Sequence, residues 1–291
     1  MLVSDIPGPN PSPREPMRKL PAGACDCHAH LFGPTTKYPY QQNRSYTPPD
    51  ASFNEYQRLL SFLGFDRAVL VQPSVYGTDN RRLMDGLKQA QDRNLEWRGI
   101  AVLNTETSDE EIARLHELGV RGIRINLLFR GGVEFDDITV LSERIAQWGW
   151  HVQCLIDVSN FVDLASILDR LPVQKVIDHM GHVPASKGIN DPGFQSLLKR
   201  MEKGDTWVKL SGPNRVTAQK GVPYKDVDPF FLELIRHNVD RCVFGTDWPH
   251  VQLPGSMPND GDLVDELLRL VDDNAMLEKL LVHNPTQLYG F

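Results

Sequence analysis

Short apolar runs alternate along this chain with longer stretches whose apolar positions recur at helical spacing. The runs predict strands at 24–30, 67–72, 98–103, 122–126, 151–156, 175–178, 207–210 and 242–244. Between and after them the 3.6-residue pattern predicts helices near 52–63, 79–93, 108–118, 138–148, 160–171, 192–203, 228–238 and 262–270. Local punctuation agrees with this reading. Ser108 with Glu111 three residues on is a capping-box pattern, and Gly119 stands where the same helix should stop. Eight strand-then-helix units without an internal repeat predict an α/β fold, a closed parallel (β/α)8 TIM barrel. No Gly-x-Gly-x-x-Gly turn follows the first strand, which disfavours a doubly wound open sheet.

The first 22 residues stand apart from this alternation. They carry five prolines by residue 16 and no apolar core segment. They are expected to form an extended Pro-rich arm, lying on the surface or reaching a neighbour, ahead of a single catalytic barrel over 23–291. The arm does not resemble a secretory signal. The whole chain has 291 residues, 41% hydrophobic and 24% charged, an ordinary globular balance. Its formal net charge of −7 argues against a general attraction to nucleic acid or anionic lipid. No apolar run approaches the roughly 20 residues that cross a bilayer. Cys25, Cys27, Cys154 and Cys242 fall in strand-like segments, so buried reduced thiols and a cytoplasmic location are expected. A homo-oligomer is left open.

Polar residues gather at one end of at least six predicted strands, the end where such barrels hold their active sites. The first strand closes on His28-Ala29-His30, and alternation places Asp26, His28 and His30 on one face. Alternation also turns Arg124 and Asn126 inward, groups Ile177 with His179 and Lys209 with Ser211, and aligns Val243, Gly245 and Asp247. Ser74 ends the second strand, and Tyr46 sits in the turn after the first. Each residue has an ordinary alternative: a satisfied core histidine, a helix cap at Asp247, or solvated arginines. The agreement of several strand ends favours a site. Arg124, Arg130 and Arg215 aimed at one mouth of an acidic protein suit an anionic substrate, because the guanidinium fork binds carboxylates in a bidentate manner.

Taken together these motifs resemble the amidohydrolase superfamily. The likeness is carried by the His28-Ala29-His30 strand end, Gln72-Pro73-Ser74, Gly122–Asn126 through Arg130, Asp178-His179-Met180-Gly181, Pro213-Asn214-Arg215 and Gly245–His250. More closely, they resemble its lactonase branch, that of 2-pyrone-4,6-dicarboxylate lactonase and related sugar-acid and sulfomuconolactone lactonases. The resemblance implies that His28, His30 and His179 polarise a lactone carbonyl while Asp247 activates water. It further implies that Arg124, Arg130 and Arg215 hold the substrate carboxylates, assisted by Tyr46 and Ser74. One departure stands out: Leu155 occupies the place of the branch's substrate-contacting tyrosine, which points to a sibling lactone.

Binuclear members of the superfamily use a lysine on strand 4 and a histidine on strand 5. Those places here hold Arg124 or Asn126 and Leu155 or Asp157, so a two-metal site lacks its bridge. The expectation is therefore hydrolysis of a small anionic lactone with no cofactor required. The alternative is one divalent metal such as zinc at His28, His30, His179 and Asp247. Two further readings remain: a metal-dependent decarboxylase of an aromatic acid in the same superfamily, and a non-catalytic small-anion-binding barrel. Metal content and chelator sensitivity separate the first, and binding without turnover the second.

Overall fold

The computed structural model describes residues 4–126, 128, 135–161, 164–253 and 256–291. Its principal sheet has eight parallel strands in chain order: β1 (Cys25–Ala29), β2 (Arg67–Val71), β3 (Trp97–Ala101), β4 (Val120–Asn126), β5 (His151–Leu155), β6 (Lys175–Ile177), β7 (Thr206–Leu210) and β8 (Cys242–Phe244). A helix follows each strand: α1 (Phe53–Leu63), α2 (Arg81–Asp92), α3 (Asp109–Glu117), α4 (Phe135–Ala146), α5 (Leu164–Asp169), α6 (Pro192–Glu202), α7 (Asp228–Asn238) and α8 (Asp260–Leu270). The strands are apolar on both faces because both are covered. Cys25, Cys27, Val69, Ile100, Val176, Trp207 and Val243 pack with one another inside the barrel. Ala68, Leu70, Ile123, Ile125, Val208 and Phe244 join the core that includes the helices.

The TIM barrel expected from the alternation is the architecture found. Ser108 caps α3, accepting from Glu111 N at 3.2 Å, while the reciprocal capping box forms at Ser52 and Glu55 on α1. Gly119 follows α3 with φ of 99°, the left-handed geometry that glycine permits. Three short helical runs, Asn274–Glu278, Lys279–His283 and Asn284–Tyr289, were not expected from the pattern. Pro285 suggests a break there, but it occupies a first-turn position where its missing N–H costs nothing. From this run Tyr289 enters the interior cluster.

The N-terminal arm lies along its own barrel. Its Ser4–Asp5 backbone pairs in parallel with Tyr46–Thr47. Further on, Met17 N donates to Asp265 Oδ1 at 2.7 Å and Arg18 Nη2 to Val271 O at 2.5 Å. The arm crosses α8 so closely that a Cβ at Gly261 would stand 2.0 Å from Arg14 O.

The seam between β8 and β1 positions the chemistry. Asp247 N donates to His28 O at 2.9 Å, and His30 N donates to Trp248 O at 2.8 Å. Asp26 clasps this seam from the side, accepting from Thr246 N at 2.9 Å, Thr246 Oγ1 at 2.7 Å and Tyr56 OH at 2.9 Å. Asp26 therefore does not share the face of His28 and His30, contrary to simple alternation. The register of β1 against β2 shifts between Asp26 and Ala29, and such a bulge re-aims the side chains beyond it. Burial pushes the Asp26 carboxyl up to about 6, against the pull of its hydrogen bonds. Replacing Asp26 with Ala strands several buried donors at about 1–3 kcal/mol each. The expected outcome in urea unfolding is a loss of about 3–5 kcal/mol; a loss below about 1 kcal/mol would show that the seam closes without the clasp.

Candidate active site

At the C-terminal mouth a pocket of ≈320 Å³ is lined by His30, Tyr46, Ser74, Arg124, His179, Arg215 and Asp247. The structure thus brings together every sequence-expected site residue that it describes except His28, which lies fully buried just beneath. Arg130 lies outside the described residues. Asn126, Leu155, His182 and Val251 complete the lining. A roomier space of ≈420 Å³ behind β7 and β8 is walled mainly by Leu210, Phe231, Phe244 and Leu267, an apolar packing gap without a catalytic cluster.

Backbone turns aim several of these groups. Ile177 faces the helix layer, so alternation sends Asp178, not His179, into the barrel. His179 reaches the mouth because the chain leaves β6 there with φ of 52°, and Asp247 turns in with φ of 69°. Non-glycine residues in the left-handed region are uncommon and gather at functional sites. Gly212 allows the close passage of β7's exit loop, since a Cβ there would sit 3.0 Å from His179 Nδ1.

The imidazoles and the carboxylate converge. His28 Nε2 lies 3.3 Å from His30 Nε2 and 3.8 Å from Asp247 Oδ1, and His179 Nε2 lies 3.7 Å from the same oxygen. Asp247 Oδ2 accepts from Arg215 Nε at 2.5 Å, whereas Oδ1 is buried with no hydrogen-bond partner among the described residues. The backs of the rings are fixed too: His30 Nδ1 meets Val71 O at 2.7 Å, and His179 Nδ1 meets Ser211 Oγ at 2.9 Å. The Tyr46 hydroxyl contacts Ser74, and burial pushes it up to about 12, so it stays a neutral donor.

A charged layer lies below. Lys209 Nζ donates to Cys27 O and Gln153 Oε1 at 2.8 Å each. Asp178 Oδ2 accepts from Gln153 Nε2 at 3.1 Å and Arg124 Nη2 at 3.3 Å. Burial raises the Asp178 carboxyl, but Lys209 and Arg124 outweigh it and hold the group below its ordinary value. Lys209 itself is lowered to about 8 by burial, partly offset by Asp178. His28, His30 and His179 are all pushed well below the ordinary imidazole value, by burial first. Next in size come the charges of Lys209 for His28, Arg124 for His30, and His28 for His179. Asp178, Gln153 and His182 escaped the sequence reading. The His-Met-Gly-His spacing was the available signal for His182, but nothing local marks Gln153.

Among the described residues two donor groups bear on a metal: His28, His30 and Asp247, and His28, Asp178 and His179, each with ligand atoms within 4.8 Å of one another. Imidazole nitrogens with one carboxylate suit zinc. The surroundings do not. Arg215 occupies Asp247, Arg124 occupies Asp178, and Lys209 stands 3.3 Å from His28 Nδ1, where a metal-bound histidine needs an acceptor. As these charges stand, the residues do not fit a resident divalent cation.

Residues 25–291 match the amidohydrolase family. The chain is 39% identical over 289 residues to a 2-pyrone-4,6-dicarboxylate hydrolase of Comamonas testosteroni, covering 96% of this chain and 93% of that one. It is 36% identical to a 4-sulfomuconolactone hydrolase of Hydrogenophaga intermedia, covering 93% and 90% respectively. Among solved structures it is similar to a probable 2-pyrone-4,6-dicarboxylic acid hydrolase from Acinetobacter baumannii with citric acid bound. That comparison has a TM-score of 0.81 at 28% identity and covers 92% of this chain and all of the other.

The buried histidines predict the pH dependence of stability. With folded-state values lowered for His28, His30, His179 and, to about 3, His151, the unfolded chain takes up protons that the folded chain refuses as pH falls through about 6.5. Each contributes a slope of up to about 1.4 kcal/mol per pH unit. Asp26, raised to about 6, works in the opposite sense between its ordinary value and 6, against these four and the likewise lowered His116 and His182. Urea midpoints measured from pH 7 to pH 5 should therefore fall; a flat or rising profile contradicts neutral, buried histidines.

Proposed function

The chain belongs to the amidohydrolase family, and within it we propose a hydrolase that opens a small carboxylated lactone by water attack on the ring ester. The carrying observation is Asp247 Oδ1, buried and unpartnered, facing the Nε2 atoms of His28 and His179. In this reading Asp247 takes a proton from water as the hydroxide adds to the lactone carbonyl. The oxyanion meets imidazole N–H groups of His28 and His179, whose positions are preset by packing rather than assembled during reaction. His30, whose Nδ1 proton is committed to Val71, completes the clamp through His28. Collapse breaks the ring C–O bond. The proton held on Asp247 passes to the leaving oxygen, so the lactone and water become a hydroxy or keto acid.

Charge supports an anionic substrate. Lys209, Arg124 and Arg215 outnumber Asp178 and Asp247 by three to two, leaving the buried site one positive charge in excess. Arg124 Nε is buried without a partner among the described residues, so it can meet a substrate carboxylate even while Nη2 holds Asp178. Arg130 and Arg215 are assigned the remaining carboxylate contacts, with Tyr46 and Ser74 as neutral donors. Leu155 lines the pocket and offers shape without a hydrogen bond, which favours a relative of the pyrone dicarboxylate over that compound itself. The reaction requires no cofactor; a divalent cation at His28, His30, His179 and Asp247 would supply Lewis-acid polarisation, but Arg215 and Lys209 oppose it. We place the activity in cytoplasmic catabolism of aromatic or sugar-acid compounds. No helix among the described residues is long and apolar enough to cross a membrane.

A panel of carboxylated lactones, followed by ultraviolet absorbance or proton release, tests this reading. Asp247→Asn should lower kcat by about 10²–10⁴-fold with KM little changed; near-normal turnover would remove Asp247 as base. Arg124→Met should instead raise KM by about 10–100-fold for the carboxylated substrate, the cost of a charged hydrogen bond. An unchanged KM would place the carboxylate elsewhere.

A further inference from the structure

The cation beneath the histidines does more than balance charge. Lys209 Nζ is fully buried and faces three acceptors: Cys27 O and Gln153 Oε1 at 2.8 Å, and His28 Nδ1 at 3.3 Å. An ammonium carries three protons, so each contact can be a donation. At the other end of the pair, His30 Nδ1 faces Val71 O at 2.7 Å. A carbonyl only accepts, so the neutral His30 ring carries its proton there and leaves Nε2 bare. His28 Nε2 stands 3.3 Å from that bare nitrogen. With Lys209 donating to Nδ1, His28 holds its single proton on Nε2, donating it to His30 in the substrate-free site and to the oxyanion during reaction. The relay from Lys209 through His28 and His30 to Val71 then closes with every polar atom matched.

A second arrangement is built into the same atoms. Asp178 Oδ1 is buried with no hydrogen-bond partner among the described residues, 3.4 Å from His28 Nδ1 and 3.8 Å from Lys209 Nζ. Were the His28 proton on Nδ1, meeting Asp178, both facing Nε2 atoms would be bare beside Asp247 Oδ1. That is a zinc donor set backed by a carboxylate–histidine pair.

We propose that Lys209 selects between these arrangements, holding His28 in its Nε2-protonated form and closing the site to divalent metal. Its replacement opens a zinc site at His28, His30 and Asp247 Oδ1, with Arg215 remaining on Oδ2. The inference deepens the cofactor-free part of the reading above, but its assay measures zinc and proton position, not turnover, so the two can fail separately.

Wild type and Lys209→Met, both stripped with chelator and matched by circular dichroism, are titrated with zinc by calorimetry and assayed for metal after gel filtration. The expected result is one zinc retained per chain by the variant, bound about 100-fold more tightly than by wild type, at the upper end of what neighbours of metal ligands contribute. Adding Asp178→Asn to Lys209→Met should abolish that gain. In the metal-free wild type, nitrogen-15 NMR should show His28 bare at Nδ1 and protonated at Nε2. Equal zinc affinity in wild type and variant overturns the proposal, and so does a wild-type His28 protonated on Nδ1. The NMR measurement decides the question even if the variant does not fold.

Discussion

The nearly closed barrel is bridged between its first strand and the loop that follows its last, and the site is built on that bridge. Two backbone hydrogen bonds, Asp247 N to His28 O and His30 N to Trp248 O, join the opening and closing motifs of a chain that separates them by more than two hundred residues. A parallel barrel must be completed by its last strand meeting its first. The residues at that join are therefore fixed by the fold's own hydrogen bonding. Asp26, gripping Thr246 and Tyr56 behind the seam, holds the two loops in register. His28, His30 and Asp247 inherit their geometry from this join, while His179 takes its own from the left-handed turn after β6.

Burying so much charge at one place has consequences. An isolated ion in a barrel interior is costly, so each charge here is met by another or by fixed dipoles. Asp178 is held by Gln153 and Arg124, and Asp247 by Arg215. Burial first, and the neighbouring cations after it, keep the imidazoles neutral, and the same cations give an incoming carboxylate a favourable field.

Much of this was legible along the chain. Strand positions followed from apolar runs, and inward Arg124 and Asn126 and paired Lys209 and Ser211 followed from alternation. Alternation failed at Asp26 and at the Ile177–His179 pairing. In both places the backbone departs from the pleat, through a register shift in β1 and a left-handed turn after β6. Such departures depend on neighbouring strands and loops, and leave little mark on local composition. The C-terminal helices escaped for a related reason, since a proline reads as a stop until its position within the turn is known.

By itself the sequence determined the eightfold alternation, the residue types at the mouth and the acidic balance, because periodicity and composition are properties of the chain. The tertiary structure alone decided which nitrogen faces which oxygen. Gln153 became a bridge between Lys209 and Asp178, Arg215 became the partner of Asp247, and the Pro-rich arm became a strap along its own barrel. These pairings join residues far apart in the chain, and a hydrogen bond's worth depends on distances of a few tenths of an ångström that only the closed barrel sets.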